Sequence, residues 1–274
     1  MPEGDTLKNL VRSVRPRLAG EPIEQLRLRD RGEVEAARGL VLGEIEAVGK
    51  HLLMLVGRRF TLHVHLGLRG SYRLYDREAA WQAAAAASTV LVIVPRTVLA
   101  IFRSAVHELR PYRDMRLEQQ LRRLGPDLLA PELDPAAVVA RARAPGFRDM
   151  AVTDLLLDQT VAAGIGNVYR SEVQFLCGLY PWARVGTLDD AALHGLFERA
   201  AALMRSNVGP WRRATVGPHR GARRPPGAPR SWVYRREGLP CLRCGTLGFG
   251  TSIRRSIEGR QARSTYWCPR CQPA

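Results

Sequence analysis

Four of the five cysteines stand in the last 34 of 274 residues, as two Cys-x-x-Cys pairs, Cys241/Cys244 and Cys268/Cys271, with 23 residues between the pairs. Two thiolates spaced this way can turn onto one ion, and a second pair completes the tetrahedral sulfur shell that zinc prefers. The expectation is one structural Zn2+, tying together a module with little room for a core of its own. Disulfides are the alternative, but the opening Met-Pro-Glu-Gly-Asp lacks the basic start and apolar core of a secretory signal. Nothing else in the chain suggests an oxidising compartment.

Charge narrows the partner. Lysine and arginine number 42 against 26 acidic residues, a net charge of +16. Polyanions are the natural counterpart, because each phosphate neutralised releases condensed counterions. With 46% apolar residues the chain can bury real cores in one large or two medium domains. Its longest apolar stretch, around Thr89 to Ile101, is broken by Pro95 and Arg96, so no membrane span is expected. The expected location is cytoplasmic and nucleoid-associated, and the expected state a monomer. Only Lys8 and Lys50 among the basic residues are lysines. Arginine grips phosphate equally well but does not give up its proton near neutral pH, which makes a retained lysine a candidate for proton transfer.

Periodicity divides the chain. Leu7, Leu10, Val11, Val14 and Leu18 recur at helical spacing before Gly20 and Pro22. Short β-rich runs follow: Leu40 to Val48, Leu52 to Val56, Thr61 to Leu66, Ser71 to Tyr75 and Val90 to Val94, which imply a β-sandwich or barrel. In the third run Leu62, Val64 and Leu66 face one way, and His63 and His65 form a polar face without a nearby carboxylate or cysteine to complete a metal site. Glu78 to Ala87 reads as an insertion or short helix. Helical patterns then cover Arg116 to Leu124, Pro135 to Arg143, Met150 to Thr160, Asn167 to Leu176 and Leu188 to Ser206, the last with Thr187 and Asp190 as a cap. Residues 209 to 231 hold six arginines and no acidic residue, a basic loop suited to nucleic acid. At Ala162 to Asn167 a glycine-rich turn opens a helix, an arrangement that can receive a phosphate on unsatisfied N–H groups, although such turns also occur simply as caps. Arg170 and Glu172 could orient that turn or pair on the surface. Cys177 reads as a buried small residue.

Taken in order, Pro2-Glu3-Gly4, Gly49-Lys50, Ala163-Gly164-Ile165-Gly166-Asn167-Val168-Tyr169, Trp232-Val233-Tyr234 and Tyr266-Trp267-Cys268-Pro269-Arg270-Cys271-Gln272 resemble the formamidopyrimidine-DNA glycosylase and endonuclease VIII family over nearly the whole chain. The resemblance implies an α+β fold: an N-terminal helix and β-sandwich domain (1–112), a helix-two-turn-helix domain with the basic loop 209–231 (113–231), and a C-terminal zinc β-hairpin (232–274). It implies base-excision repair of damaged DNA by a glycosylase that is also an AP lyase, working through an N-terminal proline Schiff base and β,δ-elimination. Pro2 becomes the nucleophile once Met1 is removed, and Glu3 the proton carrier. Lys50 becomes a second proton donor and phosphate contact. Asn167 maps onto a phosphate-binding Asn, and Leu68 onto the apolar wedge that fills the gap left by an extruded nucleotide. Arg263 maps onto the zinc-hairpin arginine that grips the lesion phosphate. Because guanidinium hardly deprotonates, electrostatic stabilisation of the leaving phosphate suits it better than proton donation.

Two departures bear on substrate. The family pattern often has Glu where this chain has Thr6, beside Asp5, and Gly67 and Arg69 differ from the polar and aromatic pair flanking the wedge in one branch. Pro-Glu-Gly and Tyr-Trp-Cys-Pro resemble the endonuclease VIII branch, which implies oxidised pyrimidines ahead of formamidopyrimidine or 8-oxoguanine. A catalytically silent, zinc-hairpin DNA-binding relative is the alternative from another class.

Overall fold

The computed structural model describes residues 1–209, 212–217, 225–258 and 262–274. They gather into two compact units, Met1–Arg123 and Leu124–Ala274.

The first unit opens with helix α1 (Gly4–Leu18), whose apolar stripe of Leu7, Leu10, Val11, Val14 and Leu18 is buried as its spacing predicts. Nine antiparallel strands follow: β1 (Gln25–Leu28), β2 (Gly32–Glu33), β3 (Leu42–Val48), β4 (His51–Val56), β5 (Phe60–His65), β6 (Ser71–Asp76), β7 (Val90–Val94), β8 (Thr97–Phe102) and β9 (Val106–Pro111). They form a five-stranded sheet, β2-β1-β7-β8-β6, and a four-stranded sheet, β3-β4-β5-β9. One core joins the two: Leu26, Val90, Val92, Leu99 and Ile101 from the first meet Ile45, Leu52, Met54, Leu62 and Val64 from the second, together with the stripe of α1. The architecture is a sandwich. Pro95 and Arg96, which interrupt the apolar run, form the two-residue turn of the β7–β8 hairpin, with Val94 paired to Thr97. All five residues of β7 are buried because both of its faces are covered. On the outer face, Trp81 and Ala85 pack over Leu91, Ile93, Val98 and Ala100, so the alanine-rich insertion, containing α2 (Gln82–Ala85), acts as a lid. Helix α3 (Met115–Arg122), capped by Asp114, closes the unit.

The second unit is built on α4 (Pro135–Ala142), α5 (Val152–Leu155), α6 (Asn167–Leu176) and α7 (Asp190–Arg205) around a second core that includes Val139, Leu155, Tyr169, Leu196, Phe197 and Met204. Two local readings change. The cap of α7 is Asp189, which accepts from Ala192 N–H at 2.7 Å, and not Thr187 with Asp190. The helix expected over Met150 to Thr160 stops at Leu155, because Asp158 takes the Thr160 N–H at 2.9 Å and its hydroxyl at 2.6 Å, a local turn that competes with continued helix. The C-terminal segment adds α8 (Leu242–Thr246) and the hairpin of β10 (Arg254–Ser256) and β11 (Thr265–Trp267), packed on Phe175 of α6 through Val233, Cys241, Cys244, Ile253 and Cys268. No helix among the described residues is long and apolar enough to cross a membrane.

Candidate functional site

In the first unit, Pro2 lies one residue before the N-cap of α1 and is partly exposed, whereas Glu3 is that N-cap and is buried. A capping box links Glu3 to Thr6, whose hydroxyl accepts from the Glu3 N–H at 3.3 Å. Thr6 therefore does at the third helical position what Glu or Gln does in the usual box, and it fixes the backbone one residue beyond Pro2. Lys50 sits with Gly49 in the two-residue turn between β3 and β4, where Val48 pairs with His51. Gly49 has φ +56°, a conformation that a side chain would strain.

Leu68 lies on a tight crossing from β5 to β6. Gly70 N–H donates to the Leu66 carbonyl at 3.0 Å, and Gly67 N–H donates to His65 Nδ1 at 3.0 Å. A Cβ on Gly67 would meet the Ala105 Cβ at 2.7 Å, and one on Gly70 would meet the Leu66 carbonyl oxygen at 2.2 Å. Between these two obligatory glycines Leu68 is 50% exposed. A large apolar side chain held out on a tight turn suits insertion into a base stack.

In the second unit, Asn167 is the first residue of α6, after Gly166 as its N-cap. The preceding turn is held by Gln159, a residue the sequence reading passes over. Its side-chain amide donates to Leu157 O at 2.9 Å and Ile165 O at 3.1 Å, and its oxygen accepts from Gly164 N–H at 3.0 Å. Gly125 seals the other side: its N–H donates to Gln159 O at 2.8 Å, and a Cβ there would strike the Val161 carbonyl oxygen at 2.3 Å. Arg170 and Glu172 do not pair on the surface; both are buried. Arg170 Nη2 donates to the carbonyls of Arg263, at 3.4 Å, and Ser264, at 2.8 Å, which ties the residues just before β11 to the helix that begins with Asn167. Glu172 accepts from Trp232 N–H at 2.7 Å, Val233 N–H at 2.9 Å and Tyr234 N–H at 2.7 Å, and from the Thr215 hydroxyl. Burial raises its carboxyl pKa, and these donors counter the rise. Thr215 N–H also donates to Arg230 O at 2.7 Å, so Glu172 gathers both ends of the arginine-rich loop. Residues 210–211 and 218–224 of that loop lie outside the described residues.

The four cysteine sulfurs lie within 4.8 Å of one another. Cys244 Sγ is 3.5 Å from Cys271 Sγ and 3.7 Å from Cys268 Sγ, and Cys241 Sγ is 3.9 Å from Cys271 Sγ. Tetrahedral zinc with Zn–S of about 2.3 Å sets S···S near ~3.8 Å, so the donor set fits such an ion. All four are free thiols in this arrangement, which leaves the disulfide alternative without support. Cys177 is partly buried against the second core, and burial raises its thiol pKa.

The expected polar histidine face is instead a stack. His63 is 1% exposed, and its Nε2 lies 2.8 Å from Nδ1 of His51, a residue the sequence reading omits.

Comparison with known proteins gives these elements their lineage. Residues 1–105 match the formamidopyrimidine-DNA glycosylase N-terminal domain, and residues 124–213 its H2TH domain. The chain is 34% identical to the DNA-(apurinic or apyrimidinic site) lyase Nei2 of Mycolicibacterium smegmatis, over 100% of both chains. It is 35% identical to a probable endonuclease 8 2 of Streptomyces coelicolor, covering 99% of this chain and 94% of that one. Among solved structures, the Lactococcus lactis Fpg in complex with DNA containing an abasic site shares the fold at a TM-score of 0.78, with 20% identity over 99% of this chain and 100% of that one. Two family domains in order, and full-length relatives above 30% identity, place this chain in the formamidopyrimidine-DNA glycosylase and endonuclease VIII family.

Proposed function

We propose that this protein is a DNA glycosylase and AP lyase of base-excision repair whose nucleophile is the Pro2 amine and whose preferred lesions are oxidised pyrimidines. The observation that carries the reading is the start of α1: a proline that becomes the amino terminus when Met1 is removed, locked beside a buried, capped Glu3. A terminal amine of pKa about 8 is roughly a tenth unprotonated at pH 7, whereas a lysine near about 10.4 is below about a tenth of a percent. The terminus is thus the better nucleophile before any tuning.

Attack by the Pro2 nitrogen on C1′ displaces the base. Glu3 donates a proton to the ring oxygen as the sugar opens to an iminium. Loss of a C2′ proton then expels the 3′ phosphate, and a second elimination expels the 5′ phosphate. Lys50, at the tip of its turn, is the candidate second proton donor and phosphate contact. Asn167 and Arg263 are assigned to backbone phosphates, Arg263 stabilising the departing phosphate electrostatically. Leu68 is assigned to fill the gap in the stack. A structural zinc on Cys241, Cys244, Cys268 and Cys271 would hold the hairpin that carries Arg263. Damaged DNA as partner is supported by the +16 charge and the basic loop. The pyrimidine preference is supported by the resemblance of Pro2-Glu3-Gly4 and Tyr266-Trp267-Cys268-Pro269 to the endonuclease VIII branch.

Borohydride trapping tests the reading. Met-free protein should form a covalent adduct with abasic-site DNA, and an added residue before Pro2 should abolish it. No adduct from intact Met-free protein would leave the silent DNA-binding relative as the reading. A panel of duplexes, each with one defined lesion, tests the pyrimidine preference, which faster release of 8-oxoguanine would overturn.

A further inference from the structure

The histidines of the four-stranded sheet fall outside the reaction just described, yet they lie between two of its assigned loops. Strand pairing sets His51 directly opposite His65, with His63 two residues along β5 on the same face. His51 is stacked on His63 at a ring separation of 5.1 Å and 24°, and it meets His65 edge-on at 5.1 Å and 64°. The His51 Nδ1 and His63 Nε2 atoms are 2.8 Å apart. At one end of the stack His51 is bonded directly to Lys50, at the turn of β3 and β4. At the other end His65 Nδ1 accepts the Gly67 N–H, one residue before Leu68.

We propose that His51 and His63 are positioning residues, a side-chain brace that holds the Lys50 turn and the Leu68 turn at fixed separation. The consequence for catalysis rests on the roles proposed above for Lys50 and Leu68; the brace itself does not.

Geometry requires one donor and one acceptor across the His51–His63 contact, which two neutral imidazoles supply. Their surroundings keep them neutral. Burial, then His63, His65 and Lys50, bring the His51 pKa down to about 3. Burial brings His63 down to about 4, with Glu108 opposing and Arg110 and His65 assisting. Either ring can be the donor, according to its tautomer, and loss of that bond frees the first residue of β4 and, through His65, the wedge turn.

The test separates the bond from the bulk. His63→Phe keeps the packing and removes the bond, whereas His63→Gln places an amide near the Nε2 position and keeps it. Hydrogen–deuterium exchange over residues 49–51 and 66–70 should speed up in His63→Phe and return toward the parent rate in His63→Gln. With single-turnover kinetics on a duplex carrying an oxidised pyrimidine, base release should fall roughly ten- to a hundredfold in His63→Phe, as a small displacement of catalytic groups would give. It should recover in His63→Gln, with the melting temperature of both within a few degrees of the parent. Unchanged exchange in His63→Phe, or equal slowing of release in both variants, overturns the brace. Faster exchange in protein whose parent gives no borohydride adduct keeps the brace and overturns the proposed activity.

Discussion

Lys50 is the sharpest test among single side chains. With only two lysines in the chain, Lys50→Arg keeps the charge and removes the ability to give up a proton near neutral pH. DNA affinity should stay within about threefold while base release or strand cleavage slows by about 10²-fold or more, the usual contribution of a proton donor, in a gel assay under single-turnover conditions. Unchanged rates would remove Lys50 from the chemistry. Leu68→Ala should leave trapping at a preformed abasic site nearly intact and lower release of a paired, damaged base, because only the latter must be held out against restacking. Equal loss on both substrates would contradict a wedge. Lys50 was legible as one of two lysines, Leu68 only through the family resemblance. Gln159 and His51 were not, and for Arg170 and Glu172 the choice between orienting the turn and pairing on the surface stayed open. Their partners are backbone groups or rings distant in sequence, as with Glu172 and the amides of residues 232–234, and no local pattern announces such pairings.

The crossing from β5 to β6 makes a prediction about backbone rather than side chain. Gly70→Ala would set a Cβ 2.2 Å from the Leu66 carbonyl oxygen. The turn must open, at about 1–3 kcal/mol, and the lost stability should appear in denaturant unfolding together with slower release of damaged bases. Strand positions show where periodicity suffices and where it fails. β5 and β7 declare themselves through β-branched and leucine runs. β1 and β9 carry charged residues such as Arg27, Glu108 and Arg110, so that only pairing with neighbours identifies them. The insertion before β7 looked idle because alanine carries no chemistry. Its contribution is shape, with Ala85 and Trp81 covering the outer face of β7 and β8. On α5 a hydrophobic pattern suggested a longer helix, but Asp158 bonded its own neighbours first.

Across the molecule, charge and titration set the working conditions. DNA affinity should decline linearly in log–log form with salt, the slope counting phosphates neutralised. The buried histidines fix a pH limit. The folded values of His51, near 3, and His63, near 4, lie below the ordinary 6.5. The unfolded chain therefore binds more protons between them, and stability should be full above about pH 6.5 and fall as pH drops toward about 4. Denaturant midpoints across that range check the sign, and replacing both histidines with phenylalanine should flatten the decline. Removing metal with a chelator should release residues 232–274 to proteolysis while the first unit keeps its unfolding transition. Arg170 offers one last use. It grasps the main-chain oxygens at positions 263 and 264 and ignores the side chains they carry. Position 263 can therefore be exchanged for lysine, glutamine or alanine without moving its anchor, and the resulting rates would rank charge, hydrogen bonding and bulk on a common scaffold.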